Sequence, residues 1–100
     1  MSYTFVNKTA VNSDIIGIVE YYKSISHKLA VEFLFRLREA KKHIVRSPRG
    51  FPIKYNNVRT VILKQFPYHL HYFIDEELKQ IVVLAIIHAY KNPKDYSKRE

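Results

Sequence analysis

An α+β fold is what this chain predicts, and three observations predict it. Apolar residues repeat at spacings of three and four through residues 15–44. They then alternate with polar residues, or run continuously, over residues 58–88. A short alternating segment, residues 3–8, precedes the first helical stretch. The order β-α-α-β-β-β implies an antiparallel helical hairpin packed on one face of a small sheet.

Residues 3–8 mix β-formers with polar residues and read as a first strand. Asn12, Ser13 and Asp14 offer N-caps for a helix whose buried stripe is Ile15, Ile18, Val19 and Tyr22. Gly17 lies inside it and costs roughly 1 kcal/mol relative to Ala. Residues 24–26 break the helix, and Ser26 can cap the next. Leu29, Phe33, Leu37, Ala40 and Ile44 form the second stripe, while Lys28, Glu32, Arg36, Glu39 and Lys42 stay outside. Pro48 and Gly50 end that helix.

Residues 52–57 read as a loop carrying Lys54 and Tyr55. Three strands follow. The first, 58–65, is rich in β-branched residues. The second sets Tyr68, Leu70, Tyr72 and Ile74 against His69, His71 and Phe73. Residues 75–79 make a turn, and 80–88 are apolar on both faces, as in a central strand. Asn92-Pro93 stops it, and 94–100 form a charged tail to the single domain expected over 1–100.

The chain has 100 residues, 47% of them hydrophobic and 14% aromatic, which is enough for one core. With no Cys, disulfides and thiolate metal sites are excluded. The five His show no tight ligand spacing, so neither metal nor other cofactor is expected. Residues 1–10 lack the apolar stretch of a secretory signal, and the longest apolar run, 81–87, is too short to span a bilayer. A cytoplasmic protein without membrane contact is expected.

Charge is the first pointer to function. Between Glu39 and Asp75 there is no acidic residue, yet Lys41, Lys42, Arg46, Arg49, Lys54, Arg59 and Lys64 lie there. The other ten of the 17 Lys and Arg nearly balance nine Asp and Glu, so the net +8 comes from the middle third. A one-sided field of this kind attracts phosphates or an acidic protein.

An ordered set of segments runs from end to end of the chain: Ile18-Val19-Glu20-Tyr21-Tyr22, the long helix ending in Ser47-Pro48, then Val58-Arg59. Phe66-Pro67-Tyr68-His69-Leu70-His71-Tyr72 follows, and then residues 82–88 running into Tyr90-Lys91-Asn92-Pro93. In this order and at this length the sequence resembles the RelE/ParE superfamily of bacterial toxin–antitoxin toxins. The resemblance implies a growth-arresting toxin held inactive by a cognate antitoxin. It leaves two modes open: non-enzymatic inhibition of DNA gyrase, as in the ParE branch, and cleavage of messenger RNA in the ribosome, as in the RelE branch. The Phe66-Pro67-Tyr68 segment and the strand ending at His88 look closer to ParE.

For metal-free RNA cleavage the resemblance implies Arg59, His69, His88 and Tyr96 as catalytic groups, with Lys54, Lys64, Tyr90 and Lys91 binding nucleic acid or target. His69 and Lys91 stand where the RelE branch has arginines, and His lacks the bidentate fork that clamps phosphate. Each candidate also has a plain reading. Arg59 could cap a strand edge, His69 and His71 could sit half-solvated on one sheet face, and His88 could bond to backbone. A non-catalytic nucleic-acid-binding domain is a further alternative. The positive surface predicts an acidic antitoxin, disordered until it binds, with its apolar residues in grooves beside the hairpin.

Overall fold

The computed structural model describes residues 3–89. The expected stop at Asn92-Pro93 and the tail 94–100 lie outside them. In chain order the elements are β1 (Thr4–Asn7), α1 (Thr9–Ile25), α2 (His27–Arg46), β2 (Ile53–Tyr55), β3 (Val58–Ile62), β4 (Tyr68–Asp75) and β5 (Gln80–His88). The strands form one sheet in the order β1-β5-β4-β3-β2. β1 runs parallel to β5, and every other neighbouring pair is antiparallel.

The expected α+β class and both helices are present, and the hairpin covers one sheet face. α2 buries Ala30, Phe33, Leu37, Ala40 and Ile44, close to the stripe read from its periodicity. Phe33 and Ile44 are wholly buried, each contributing about 1.5–3 kcal/mol by leaving water. Tyr22 and Phe33 from the hairpin meet Tyr68 of β4 and Phe66 of the β3–β4 turn, with ring centroids 5.1–6.4 Å apart. Most of these contacts are edge-on, the geometry that ring quadrupoles favour.

Three local features depart from the expectations. α1 starts at Thr9, ahead of the Asn12–Asp14 caps, with Lys8 at the cap and no side-chain bond there. Burial decides this, because an extra turn places Val11 in the core at zero exposure. Lys8 N–H donates to Val83 O at 2.9 Å and ties that start to β5. Asp14, freed from capping, accepts the Ile86 N–H at 3.1 Å. β1 pairs with β5 only as far as Val83, so the carboxylate serves a strand donor that β1 does not reach.

The segment expected to be a loop contains β2, which makes the sheet five-stranded. β2 pairs through Ile53↔Arg59 and Tyr55↔Val58. Asn56, at φ 47°, takes the left-handed conformation that lets the chain reverse between them. Three residues are too few for alternation to register. The third departure is in the β4–β5 ladder, where His71 pairs with Ala85 and Tyr72 with Val83, leaving Leu84 as an extra residue. Ile81, Val83 and Ile86 therefore meet the helices, while Leu84, Ala85 and Ile87 pack with Val58 on the other face.

Gly17 sits mid-helix on an exposed face, and a Cβ added there would meet nothing within 4 Å. Gly17→Ala is expected to stabilise the protein by about 0.5–1 kcal/mol. Urea unfolding measures this, and an unchanged or lower midpoint would contradict it.

Candidate functional site

The side chains singled out in the sequence do not converge on one place. Strand parity separates them. Arg59 pairs with Tyr72, and both point to the helix side of the sheet. There the Arg59 guanidinium donates to Arg49 O at 3.0 Å and Phe51 O at 2.6 Å. Tyr72 OH donates to Pro48 O at 2.6 Å. Two buried-side donors thus hold the carbonyls of the segment that follows α2. Burial raises the Tyr72 hydroxyl to about 12, with nearby Arg59 partly opposing the rise, so it remains a donor at neutral pH.

On the opposite, helix-free face lie His69 and His71, paired with Ile62 and Thr60 across β3. His71 is almost fully buried, and its Nδ1 lies 3.3 Å from Tyr55 OH. The His69 ring centroid is 6.4 Å from that of His71. Burial, and secondly the Lys54 ammonium, hold the His69 imidazole below its usual pKa. The structure therefore brings Lys54 and His69 together, and adds Tyr55 and His71 to them. A neutral imidazole beside an ammonium and a phenol could accept a proton near a bound anion. β2 carries Lys54 and Tyr55 into the group, which is why reading 52–57 as a loop did not place Tyr55 there.

His88 stands elsewhere. It is exposed on the helix side, 5.4 Å from the Tyr68 ring, beside a cavity of about 280 Å³ lined by Ser13, Gly17 and Tyr21 of α1. Lys64 is exposed in the turn after β3. Tyr90, Lys91 and Tyr96 lie outside the described residues. Among the described residues no group of three or more His, Asp or Glu side chains is placed to hold a metal ion. No helix among them is long and apolar enough to cross a membrane.

The seven cations of the acid-free middle do not make a single patch. Arg49 is ion-paired with Glu76, and Arg59 is occupied by carbonyls. The other five divide. Lys41, Lys42 and Arg46 share the outer flank of α2 with Arg38, around Phe5, Phe35 and Val45. There Lys41 is half-buried, 5.5 Å above the Phe5 ring, and burial lowers its pKa. Lys54 and Lys64 lie on the sheet side with His69 and His43. Helical and strand placements turn neighbours in sequence to different sides. The spacing of α2 predicts Arg36 on its solvent face, yet Arg36 donates to Gln65 Oε1 at 2.9 Å and to Glu39 at 3.2 Å. It thus ties α2 to the β3–β4 turn.

No family model matches the sequence, and no curated protein matches it. Solved structures do. A chain of the chromosomal ParDE toxin–antitoxin system from P. aeruginosa superposes with a TM-score of 0.73 at 19% identity, over 87% of this chain and 96% of that one. The fold is the RelE/ParE fold. The RelBE2 toxin–antitoxin complex from Mycobacterium tuberculosis matches with a TM-score of 0.54 and 22% identity, over 88% of this chain and 99% of that one. Within this fold the expected strand–hairpin–sheet architecture stands, with β2 added.

Two outcomes follow from the geometry. Arg59→Ala removes two charge-assisted bonds and should cost about 1–3 kcal/mol in urea unfolding, whereas a loss within error would mean the clamp is idle. The second concerns protonation. A depressed folded-state pKa means the unfolded chain binds more protons, so the contribution of His69 is present above about pH 6.5 and is lost as pH falls through the lowered value. An NMR titration should find His69 below the ordinary histidine range, and Lys54→Met should move it upward. A midpoint unmoved by that substitution would remove Lys54 from the cluster.

Proposed function

We propose that this chain is the toxin of a bacterial toxin–antitoxin pair, acting in the cytoplasm and neutralised by a cognate acidic antitoxin. The RelE/ParE fold supports this, as does the sequence resemblance along the whole chain. The outer flank of α2 supports the partner's chemistry. Val31, Phe35 and Val45 are about half exposed there, interleaved with Arg38, Lys42 and Arg46. An amphipathic acidic segment would cover the apolar residues and neutralise the basic ones.

The mode favoured is ParE-like inhibition of DNA gyrase without catalysis. One observation carries it: Arg59, the strongest phosphate-binding candidate, is turned to the helix side and spent on the Arg49 and Phe51 carbonyls. His69 is on the other face of the sheet, and His88 stands apart from both. A phosphorane needs its cation and its proton-transfer groups around one atom.

A second reading, ribosome-dependent cleavage of messenger RNA, is favoured by the Lys54–His69 pair with Tyr55 and His71 nearby. There the neutral His69 would take the 2′-hydroxyl proton as the 2′-oxygen attacks phosphorus, and Lys54 would stabilise the phosphorane and give a proton to the 5′-oxygen as the P–O5′ bond breaks. A merely nucleic-acid-binding role remains the minor alternative, with strong salt dependence as its mark.

Expression of the chain alone decides among these. Growth should stop, with gyrase-linked DNA breaks and intact messages, and His69→Ala should arrest growth as well as the parent does. Message cleavage lost in His69→Ala would establish the ribonuclease reading instead. Unimpaired growth, with folded protein accumulating, would refute the toxin assignment.

A further inference from the structure

Of the described lysines, Lys41 and Lys79 alone are partly withdrawn from solvent. Lys79 is ion-paired with Glu76 at 3.0 Å. Lys41 has no hydrogen bond or ion pair among the described residues. Its Nζ lies 5.5 Å from the centroid of the Phe5 ring, which β1 places beside α2. A cation over a ring face is held in position there, but nothing of opposite charge holds its proton.

Two cavities meet at this amine. One, of about 380 Å³, has Phe5 and Val45 as apolar walls, with Arg38, Lys42 and Arg46 around it. The other, of about 280 Å³, sets Leu34 and Leu37 beside Arg38. No carboxylate lines either of them. Spacings of three and four along α2 bring residues 38, 41, 42, 45 and 46 onto this one flank. Burial lowers the pKa of Lys41. A lysine against apolar walls and beside other cations gives up its proton more readily, and the free lone pair makes it a nucleophile. Arg38 and Arg46, both exposed, offer planar forks that fit a phosphate. A nucleophile and a seat for an anionic leaving group thus adjoin.

We propose that Lys41 is a modification site, an amine that takes an acyl group from an acyl phosphate bound by Arg38 and Arg46. The neutral Nζ attacks the acyl carbon and an N–C bond forms. The C–O bond to phosphate breaks, and the leaving phosphate takes the nitrogen's proton and departs as hydrogen phosphate. The amide that remains carries no charge. Its acyl carbons lie against Phe5, where an apolar group is better placed than an ammonium. One cation is thereby removed from the α2 flank. On the reading that this flank receives an acidic partner, acylation weakens that capture; the acyl transfer itself does not depend on that reading.

The test treats the full chain with acetyl phosphate at neutral pH and follows acetylation of each lysine by peptide mass spectrometry. Lys42, adjacent and exposed on the same flank, is the internal control. Lys41 should react about tenfold faster than Lys42, the ratio that one unit of pKa gives in neutral amine. Arg38→Gln combined with Arg46→Gln should slow the reaction of Lys41 with acetyl phosphate by about tenfold. The same pair should change its reaction with an uncharged active ester of acetate by no more than about twofold. Added inorganic phosphate should compete and slow Lys41 with acetyl phosphate, which tests the anion seat even if the double variant does not fold. The proposal is overturned if Lys41 and Lys42 react alike, or if another lysine reacts first. It is equally overturned if neither the double variant nor inorganic phosphate slows Lys41. All of this is read on the chain alone, without partner or growth arrest, so failure here is distinct from failure of the toxin reading.

Discussion

Leu84 is the extra residue in the longest ladder of the sheet, and the pairing of β4 with β5 around it governs what each face presents. β5 carries an unbroken apolar run, which a regular strand would split evenly between faces. The added residue resets the parity after Val83, so Ile86 and His88 turn to the helix side with Ile81 and Val83. β4 runs regularly opposite, placing Leu70 and Tyr72 in the core and His69 and His71 on the far face. The distribution of every candidate functional group on the sheet follows from that ladder and its neighbour β3.

The same parity explains why a basic middle segment does not become one basic surface. Arg59 and Lys54 are five residues apart in sequence, yet Arg59 turns to the helix side while Lys54 acts on His69. Arg59 then finds backbone carbonyls, and Arg49 finds Glu76. The charge left for a partner lies along α2, mixed with exposed apolar side chains, and on the sheet side with Lys54 and Lys64. The α2 surface combines attraction for carboxylates with apolar area, a pairing that suits an acidic polypeptide better than a bare polyanion.

His69 and Lys54 form the one place on the sheet where the described residues assemble chemistry as well as charge. Partial burial keeps the imidazole neutral at pH 7, and the neighbouring ammonium acts in the same direction. Such a site has the ingredients of proton transfer but lacks a guanidinium aimed at a phosphate. The fold by itself does not choose between the two proposed modes. The distinction lies in what surrounds the imidazole.

What neighbours within about four residues control is legible in the order of residues alone. The α2 stripe from Phe33 to Ile44, the alternation of β4, and the apolar β5 all appear in it, because helix and strand periods are local. The approach of Lys54 to His69 was half visible, since both were candidates, though nothing local joined them. Packing set the start of α1, where burial of Val11 outweighed the polar caps. It alone created β2, whose three residues gain meaning by pairing with β3. It also set the roles of Arg59, Arg36 and Asp14, whose partners lie 8 to 72 residues away in the chain. Bonds across such separations depend on which way each strand and helix faces after packing, and no local pattern records that.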